Sequence, residues 1–356
     1  MNLREPGSAP PTPWQCEMAA VASTLRKLLP AAGRAGTPPR TLWWGAGYSD
    51  LPAECAREIG SEAIFADSDP RRLRRSKAMA GDQPKAIRLL TLADLQRDAA
   101  FIESALEGVS LRNIDSYLAF EEKLLHRLHT HPAIASEWAD VVVMDFILNR
   151  VTADKEASTM AESFRVLDRE GRVLSAILVA DEPVDAQSVK SSPPGPALRL
   201  PTEQAALQSF ERAGFHGVRL HWSADENPLA VDRIGDVDIR MCVIEAYKGK
   251  QGPCMELGQA VVYGGPWSEV HDDDGHVYRR GERVAVCAKT YALLMRSPYE
   301  GAVTGLRSAS EPPLEQAQPF DCNTPALRDP KVTKGLIPFS GSSARASACA
   351  PDSGCC

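Results

Sequence analysis

The run ADVVVMDFI, residues Ala139 to Ile147, decides the fold. It is continuous and rich in β-branched residues rather than alternating, the pattern of a parallel strand covered on both faces. Thr152 follows as a helix cap, with Asp154 and Glu156 in the first turn, where negative charge meets the positive end of the helix dipole. Ala157, Met160, Ala161, Phe164 and Leu167 then recur at helical spacing and give this helix one apolar face. The turn Asp168-Arg169-Glu170-Gly171 is expected to end it, and RVLSAILVA, Arg172 to Ala180, reads as a second buried strand. Strand, helix and strand in this rhythm predict an α/β fold, an open and mostly parallel sheet with helices on both faces.

Upstream, Thr41 to Trp44, Glu62 to Ala66 and Ala86 to Leu90 read as three further strands. Helices are expected over Cys16 to Leu29, Pro52 to Ile59 and Pro70 to Met79, with a long helical stretch from Asp94 to Thr130. Downstream, Thr202 to Arg212 reads as a helix closed by Gly214. From Asp236 the pattern changes to strands joined by turns: Ile239 to Tyr247, Gln259 to Tyr263 and Val277 to Cys287, with a short helix at Ala288 to Arg296. The expected organisation is therefore residues 1–39 as leader, helix and linker, 40–235 as the α/β domain, 236–335 as a small β-rich module, and 336–356 as a disordered, cysteine-containing tail.

Composition bounds the function. The chain has 356 residues, 44% of them hydrophobic and 24% charged, enough apolar mass for a core. No run approaches the ~18 apolar residues of a spanning helix, so no membrane partner is expected. The Pro-rich N-terminus has no apolar core of a secretory signal, which predicts a cytoplasmic protein. A net charge of -7 without a long basic stripe argues against nucleic acid. The nine cysteines are expected to stay thiols, and an odd count fits a complete disulfide framework poorly.

Two constellations could carry chemistry. Gly45-Ala46-Gly47 ends the first strand, where glycine lets backbone approach a ligand closely, and Asp67 ends the second, where a carboxylate can accept hydrogen bonds from ribose hydroxyls. A plain tight turn is the competing reading of the glycines. The absence of a third glycine at dinucleotide spacing favours S-adenosyl-L-methionine over a pyrophosphate cofactor. The second constellation is the group of late cysteines, Cys254, Cys287, Cys322, Cys355 and Cys356, which are candidates for a soft metal or metalloid. Scattered core thiols and an exposed tail are the alternative. His271, Asp272, Asp273, Asp274 and His276 read as a solvated hairpin turn before they read as a metal site.

The order of Gly45-Ala46-Gly47, Asp67, ADVVVMDFILNRV and SFRVLDREGRVLSAILVADEP resembles a class I S-adenosylmethionine-dependent methyltransferase, with its Rossmann-like sheet. AGFHGVRL, EAYKGKQGPC, QAVVYGGPW, DDDGHVYRRGERVAVCAKT, PFDC and the terminal CC narrow the resemblance to a bacterial branch of the arsenite methyltransferase family. The resemblance implies cofactor binding by Gly45, Gly47 and Asp67, with Asp94 near the adenine. It implies a small-molecule acceptor, arsenite or its thiol conjugate, whose arsenic attacks the sulfonium methyl group. The chain departs from the family where the acceptor thiols should stand: Asp50 lies near the first position, Phe146 replaces the second, and Ser191 to Pro196 surround the third. Tyr48-Ser49-Asp50 alters the glycine motif, and Trp43 and Trp44 occupy a strand end where an acidic residue is common. Two functions follow: a methyltransferase with a small acceptor, or a catalytically degenerate methyltransferase fold acting as a thiol-based metalloid or metal binder or as a partner protein.

Overall fold

The computed structural model describes residues 12–29, 37–46, 49, 52, 62–80, 84–90, 93–184, 199–222, 228–249, 252–272, 275–322 and 328–338. Gly47, the helix expected over Pro52 to Ile59 (apart from Pro52), the segment Ser191 to Pro196, and Cys349, Cys355 and Cys356 lie outside these residues. The chain forms two compact units, divided between Lys248 and Gly249.

In the first unit the elements are α1 (Pro13–Leu28), β1 (Arg40–Trp44), β2 (Glu62–Asp67), α2 (Pro70–Ala80), β3 (Pro84–Leu89), α3 (Ala99–Leu106), α4 (Ile114–Thr130), β4 (Ala139–Asp145), α5 (Ile147–Arg150), α6 (Ala153–Val166), β5 (Leu167–Ala180), α7 (Glu203–Arg212), β6 (His216–Trp222), β7 (Asp232–Ile234) and β8 (Val237–Tyr247). The sheet order is β3-β2-β1-β4-β5-β8-β6, with β7 paired to β8. The first five strands are parallel, and β8 runs antiparallel between β5 and β6. This is a mixed α/β, Rossmann-like sheet with helices, as the sequence predicts.

Val141, Val142 and Val143 explain the centre. Their side chains alternate between the two faces, so Val141 and Val143 join one buried cluster and Val142 the other. Each face needs its own cover. Val21, Ala22 and Leu25 of α1 pack into the first cluster, and Met160 of α6 and Phe210 of α7 into the second. Helix α1 starts with a reciprocal capping box between Thr12 and Gln15. Its far end is tied to the sheet through Arg172, which donates to the Leu28 carbonyl. Glu17 is buried in α1 and accepts from the Leu229 amide at 3.2 Å; burial pushes its carboxyl up.

Three expectations are corrected. Ile239 to Tyr247 is not part of the C-terminal module; it is the body of β8, and the compact boundary falls after it. An antiparallel strand inserted into a parallel sheet is buried on both faces and carries the same apolar run as any other core strand. Asp168 to Gly171 is not a turn between helix and strand: α6 ends at Val166, and these residues belong to β5. They form an irregularity within β5, where the β4 partners jump from Leu167 to Arg172. The stretch from Asp94 to Thr130 is two helices, α3 and α4, capped by Asp98 and Asn113.

The second unit contains β9 (Met255–Glu256), β10 (Ala260–Tyr263), β11 (Glu269–His271), β12 (Val277–Arg279), β13 (Arg283–Ala285), α8 (Ala288–Leu294), β14 (Val303–Leu306), β15 (Gln318–Pro319) and α9 (Pro330–Thr333). Its sheets are β13-β10-β14, β11-β12 and β15-β9, all antiparallel. The single strand expected over Val277 to Cys287 is divided into β12 and β13 by a turn with Gly281 at φ +78°. Val261, Tyr263, Tyr278, Val284, Leu293 and Leu294 form its own core.

Candidate functional site

In the first unit, the C-terminal ends of β1, β2 and β4 meet. Gly45 leaves β1 with φ +90°, and a Cβ there would stand 2.7 Å from the Asp145 carbonyl oxygen. The glycine is thus required by the close approach of this chain's own backbone. The same added atom would meet Ile147 Cδ1 at 3.0 Å and Arg150 Nη1 at 3.2 Å. The space over Gly45 is filled from within.

Asp67 ends β2 with a fully buried side chain. Arg150, at the end of α5, donates Nη1 to Asp67 Oδ2 at 3.1 Å and Nη2 to Oδ1 at 3.2 Å, a two-pronged pair. The Asp69 amide adds a third donor, at 2.9 Å from Oδ1. Next to this pair, Asp145 ends β4, also buried, and accepts from the Ser49 amide at 3.0 Å and the Ser49 hydroxyl at 2.9 Å. Burial pushes the Asp145 carboxyl up to about 7; the Ser49 donors and the nearby Arg150 oppose that shift, and Asp67 adds to it.

Phe146 follows in the left-handed region, with φ 55°, at a cost of order 1 kcal/mol for a residue with a Cβ. Its ring is fully buried in the cluster that holds Ala46 and Phe65, 6.4 Å from the Trp14 ring of α1. Trp43 and Trp44 are buried on opposite faces of β1.

Asp94 lies between β3 and α3. Its Oδ1 accepts from the Gln96 amide at 2.8 Å, and Arg97 lies 3.6 Å from Oδ2. It lines an open cleft of about 750 Å³ together with Arg150, Thr152, Lys155 and Glu162. Neither Gly45 nor Asp67 lines that cleft.

The second unit brings three of the sequence candidates together. Antiparallel pairing of β9 with β15 sets Met255 opposite Pro319, and the Phe320 amide donates to the Cys254 carbonyl at 2.8 Å. That pairing places Cys254 and Cys322 at neighbouring strand ends. Cys287 arrives from β13 as the cap of α8, its Sγ 3.4 Å from the Thr290 amide and 3.3 Å from the Thr290 hydroxyl. The sulfurs of Cys254, Cys287 and Cys322 all lie within 4.8 Å of one another. Cys287 is buried, the other two are half-buried, and Ala285 and Phe320 pack around them.

Hydrogen bonds from Cys254 and Cys322 hold the Cys287 thiol far below its usual range despite its burial, and those from Thr290 add to the effect. Cys254 and Cys322 move the opposite way, up: Cys254 through its hydrogen bond to Cys287, against an opposing one from Cys322, and Cys322 through its hydrogen bonds to Cys254 and then Cys287. Cys242, in β8, provides the contrast: burial, with the Glu203 charge adding to it, pushes its thiol up, and it packs as an inert core side chain.

Among the described residues no other group of three His, Cys, Asp or Glu side chains converges in this way. Asp272 and His276 form a hydrogen-bonded turn, with His276 Nδ1 3.0 Å from Asp272 Oδ2 and the Tyr278 hydroxyl donating to the same oxygen at 2.8 Å. Arg150 and Ser49 are the residues of the sheet edge that sequence reasoning missed. The signal available for Arg150 was a cation one turn beyond a strand ending in Asp145.

Residues 250–337 match the model of a domain of unknown function, DUF8838. No curated protein matches the chain. Among solved structures, the chain is similar to an arsenic(III) S-adenosylmethionine methyltransferase from Chlamydomonas reinhardtii, at 18% identity and TM-score 0.43, covering 88% of this chain and 100% of the other. It is also similar to 1,6-didemethyltoxoflavin-N1-methyltransferase from Burkholderia thailandensis, solved with S-adenosylhomocysteine, at 15% identity and TM-score 0.37, covering 66% and 78%. A third similarity is to an S-adenosylmethionine-dependent methyltransferase from Archaeoglobus fulgidus, at 12% identity and TM-score 0.38, covering 65% and 94%. Likenesses of this degree say nothing of what the present chain binds.

Proposed function

We propose that this chain is a catalytically degenerate methyltransferase-like protein that works through its cysteine thiols rather than by methyl transfer. The observation that carries this reading is the Asp67–Arg150 pair. A ribose-binding carboxylate must face open space, whereas both Asp67 oxygens are bonded to the Arg150 guanidinium and the side chain is fully buried. With Ile147 and Arg150 over Gly45 and the Phe146 ring in the core, the described residues do not fit S-adenosylmethionine at this edge. The thiols of the second unit are the group best suited to hold a ligand.

A second reading keeps methyl transfer from S-adenosylmethionine to a small acceptor, arsenite or another soft nucleophile. The open cleft beside Arg150 favours it, since a guanidinium swung into that space would free Asp67. Calorimetric titration of the full chain with millimolar S-adenosylmethionine separates the two. The expected outcome is no saturable heat; a one-to-one isotherm would overturn the degenerate reading.

A further inference from the structure

We propose that Cys254, Cys287 and Cys322 form a three-thiolate site for a soft divalent cation of the zinc type, with a fourth coordination position left open. The site's biological role rests on the thiol-based reading above, while its existence rests on geometry alone.

Three sulfurs from separate stretches of the chain converge to within 4.8 Å. In a tetrahedral site with metal–sulfur bonds of about 2.3 Å, sulfurs stand about 3.8 Å apart. The observed cluster therefore closes on an ion by side-chain movements of about 1 Å or less. Thiolates select soft and borderline cations over magnesium or calcium. Among the described residues no fourth His, Cys, Asp or Glu joins the group, and three protein ligands are the pattern of sites that keep an exchangeable position, whereas structural zinc sites use all four.

The open position has somewhere to point. A cavity of about 20 Å³ is lined by Cys287 and Cys322 on one side and by His276, Thr290, Phe320 and Arg328 around it. That volume holds about one water molecule. Charge is also matched: three thiolates and a divalent cation leave one negative charge, and the Lys289 ammonium acts electrostatically on Cys254. Lys289 is fixed there by donating to the Gly252 carbonyl at 3.0 Å.

Binding needs no redox partner. The hydrated cation enters, three sulfur–metal bonds form, and the displaced waters leave. Protons still carried by the thiols pass to solvent, and one water stays on the ion, facing the cavity.

The test uses the reduced full chain titrated with zinc, cadmium and cobalt(II). The expected result is one ion per chain, with thiolate-to-metal charge transfer in the ultraviolet and an intense, tetrahedral cobalt spectrum that shifts when a small thiol is added. Cys254→Ser and Cys322→Ser, both at half-buried positions, should each weaken binding by at least the roughly 10–100-fold that an outer-shell change costs. They keep the test valid if Cys287→Ser fails to fold. Cys16→Ser, and a variant with Cys349, Cys355 and Cys356 changed to serine, should bind as the parent does. No bound ion, an octahedral cobalt spectrum, a spectrum indifferent to added thiol, or loss of binding on changing the tail would each overturn the proposal. Binding of S-adenosylmethionine would leave this stoichiometry unchanged, so the two readings fail separately.

Discussion

The sheet edge of the first unit and the thiol cluster of the second solve the same electrostatic problem in opposite ways. At the sheet edge, the two buried carboxylates are each bonded by donors of their own chain: Asp67 by Arg150, and Asp145 by Ser49. In the cluster, three chemically identical groups are gathered, and hydrogen bonding from Cys254, Cys322 and Thr290 draws the Cys287 thiol down. A site satisfied by its own chain has little to offer a ligand. A site of convergent soft donors gains most of its stabilisation when a cation arrives.

The largest expected effect falls on the satisfied site. Arg150→Ala leaves Asp67 buried without its cation and should cost about 3–5 kcal/mol of stability, read from denaturant unfolding of the first unit. Arg150→Leu combined with Asp67→Asn should recover much of that loss, because no charge remains to be compensated. A loss below about 1 kcal/mol for Arg150→Ala would mean that water reaches Asp67, and the edge is not closed.

Next in size is the effect of an ion on the unsatisfied site. Zinc or cadmium at 100 times its dissociation constant should stabilise the second unit by about 2.7 kcal/mol, seen as increased hydrogen-exchange protection around residues 254–322. Protection should stay at the metal-free level in Cys322→Ser. Equal protection of the first unit would show that the ion acts elsewhere.

The pH response should distinguish the two regions again. Asp145 has its carboxyl raised from 3.8 to about 7 by burial. The folded state therefore holds this proton more tightly than the unfolded chain. The contribution is fully present below about pH 4 and is lost as pH rises through about 7. At ~1.4 kcal/mol per unit, this amounts to a few kcal/mol. Asp145→Asn should flatten that part of the profile, with stability followed by denaturation from pH 4 to 8. An unchanged profile would place the titrating group elsewhere.

The smallest effect concerns the Cys287 thiol, which its neighbours hold low. Thr290→Val removes the hydroxyl that faces Cys287 Sγ at 3.3 Å, and should cost about 1 kcal/mol. It should also raise the pH at which thiolate absorbance of the cluster appears, while leaving Cys242 unreactive to alkylation in the folded chain. Absorbance indifferent to Thr290→Val would shift the thiolate away from Cys287.

These contrasts also mark what can be read from sequence. The parallel core was legible because Val141, Val142 and Val143 must be buried on both faces, and Gly45 and Asp67 were found where expected, at adjacent strand ends. The Asp67–Arg150 pair was not, because its members are 83 residues apart and join only when β2 and β4 are in register on either side of β1. The body of β8 was assigned to the wrong unit because strand direction leaves no trace in an apolar run. The three cysteines were named from their residue type alone. What brings Cys254 to Cys322 is the pairing of β9 with β15, two residues on each strand, too short to carry a periodic pattern.

The most direct test of a closed sheet edge on this Rossmann-like fold is equilibrium dialysis of methyl-labelled S-adenosylmethionine against the full chain. Labelled cofactor at equal concentration on both sides of the membrane is the predicted result. Retention of one equivalent with the protein would contradict it, because Asp67 and Gly45 would then be open to a ligand.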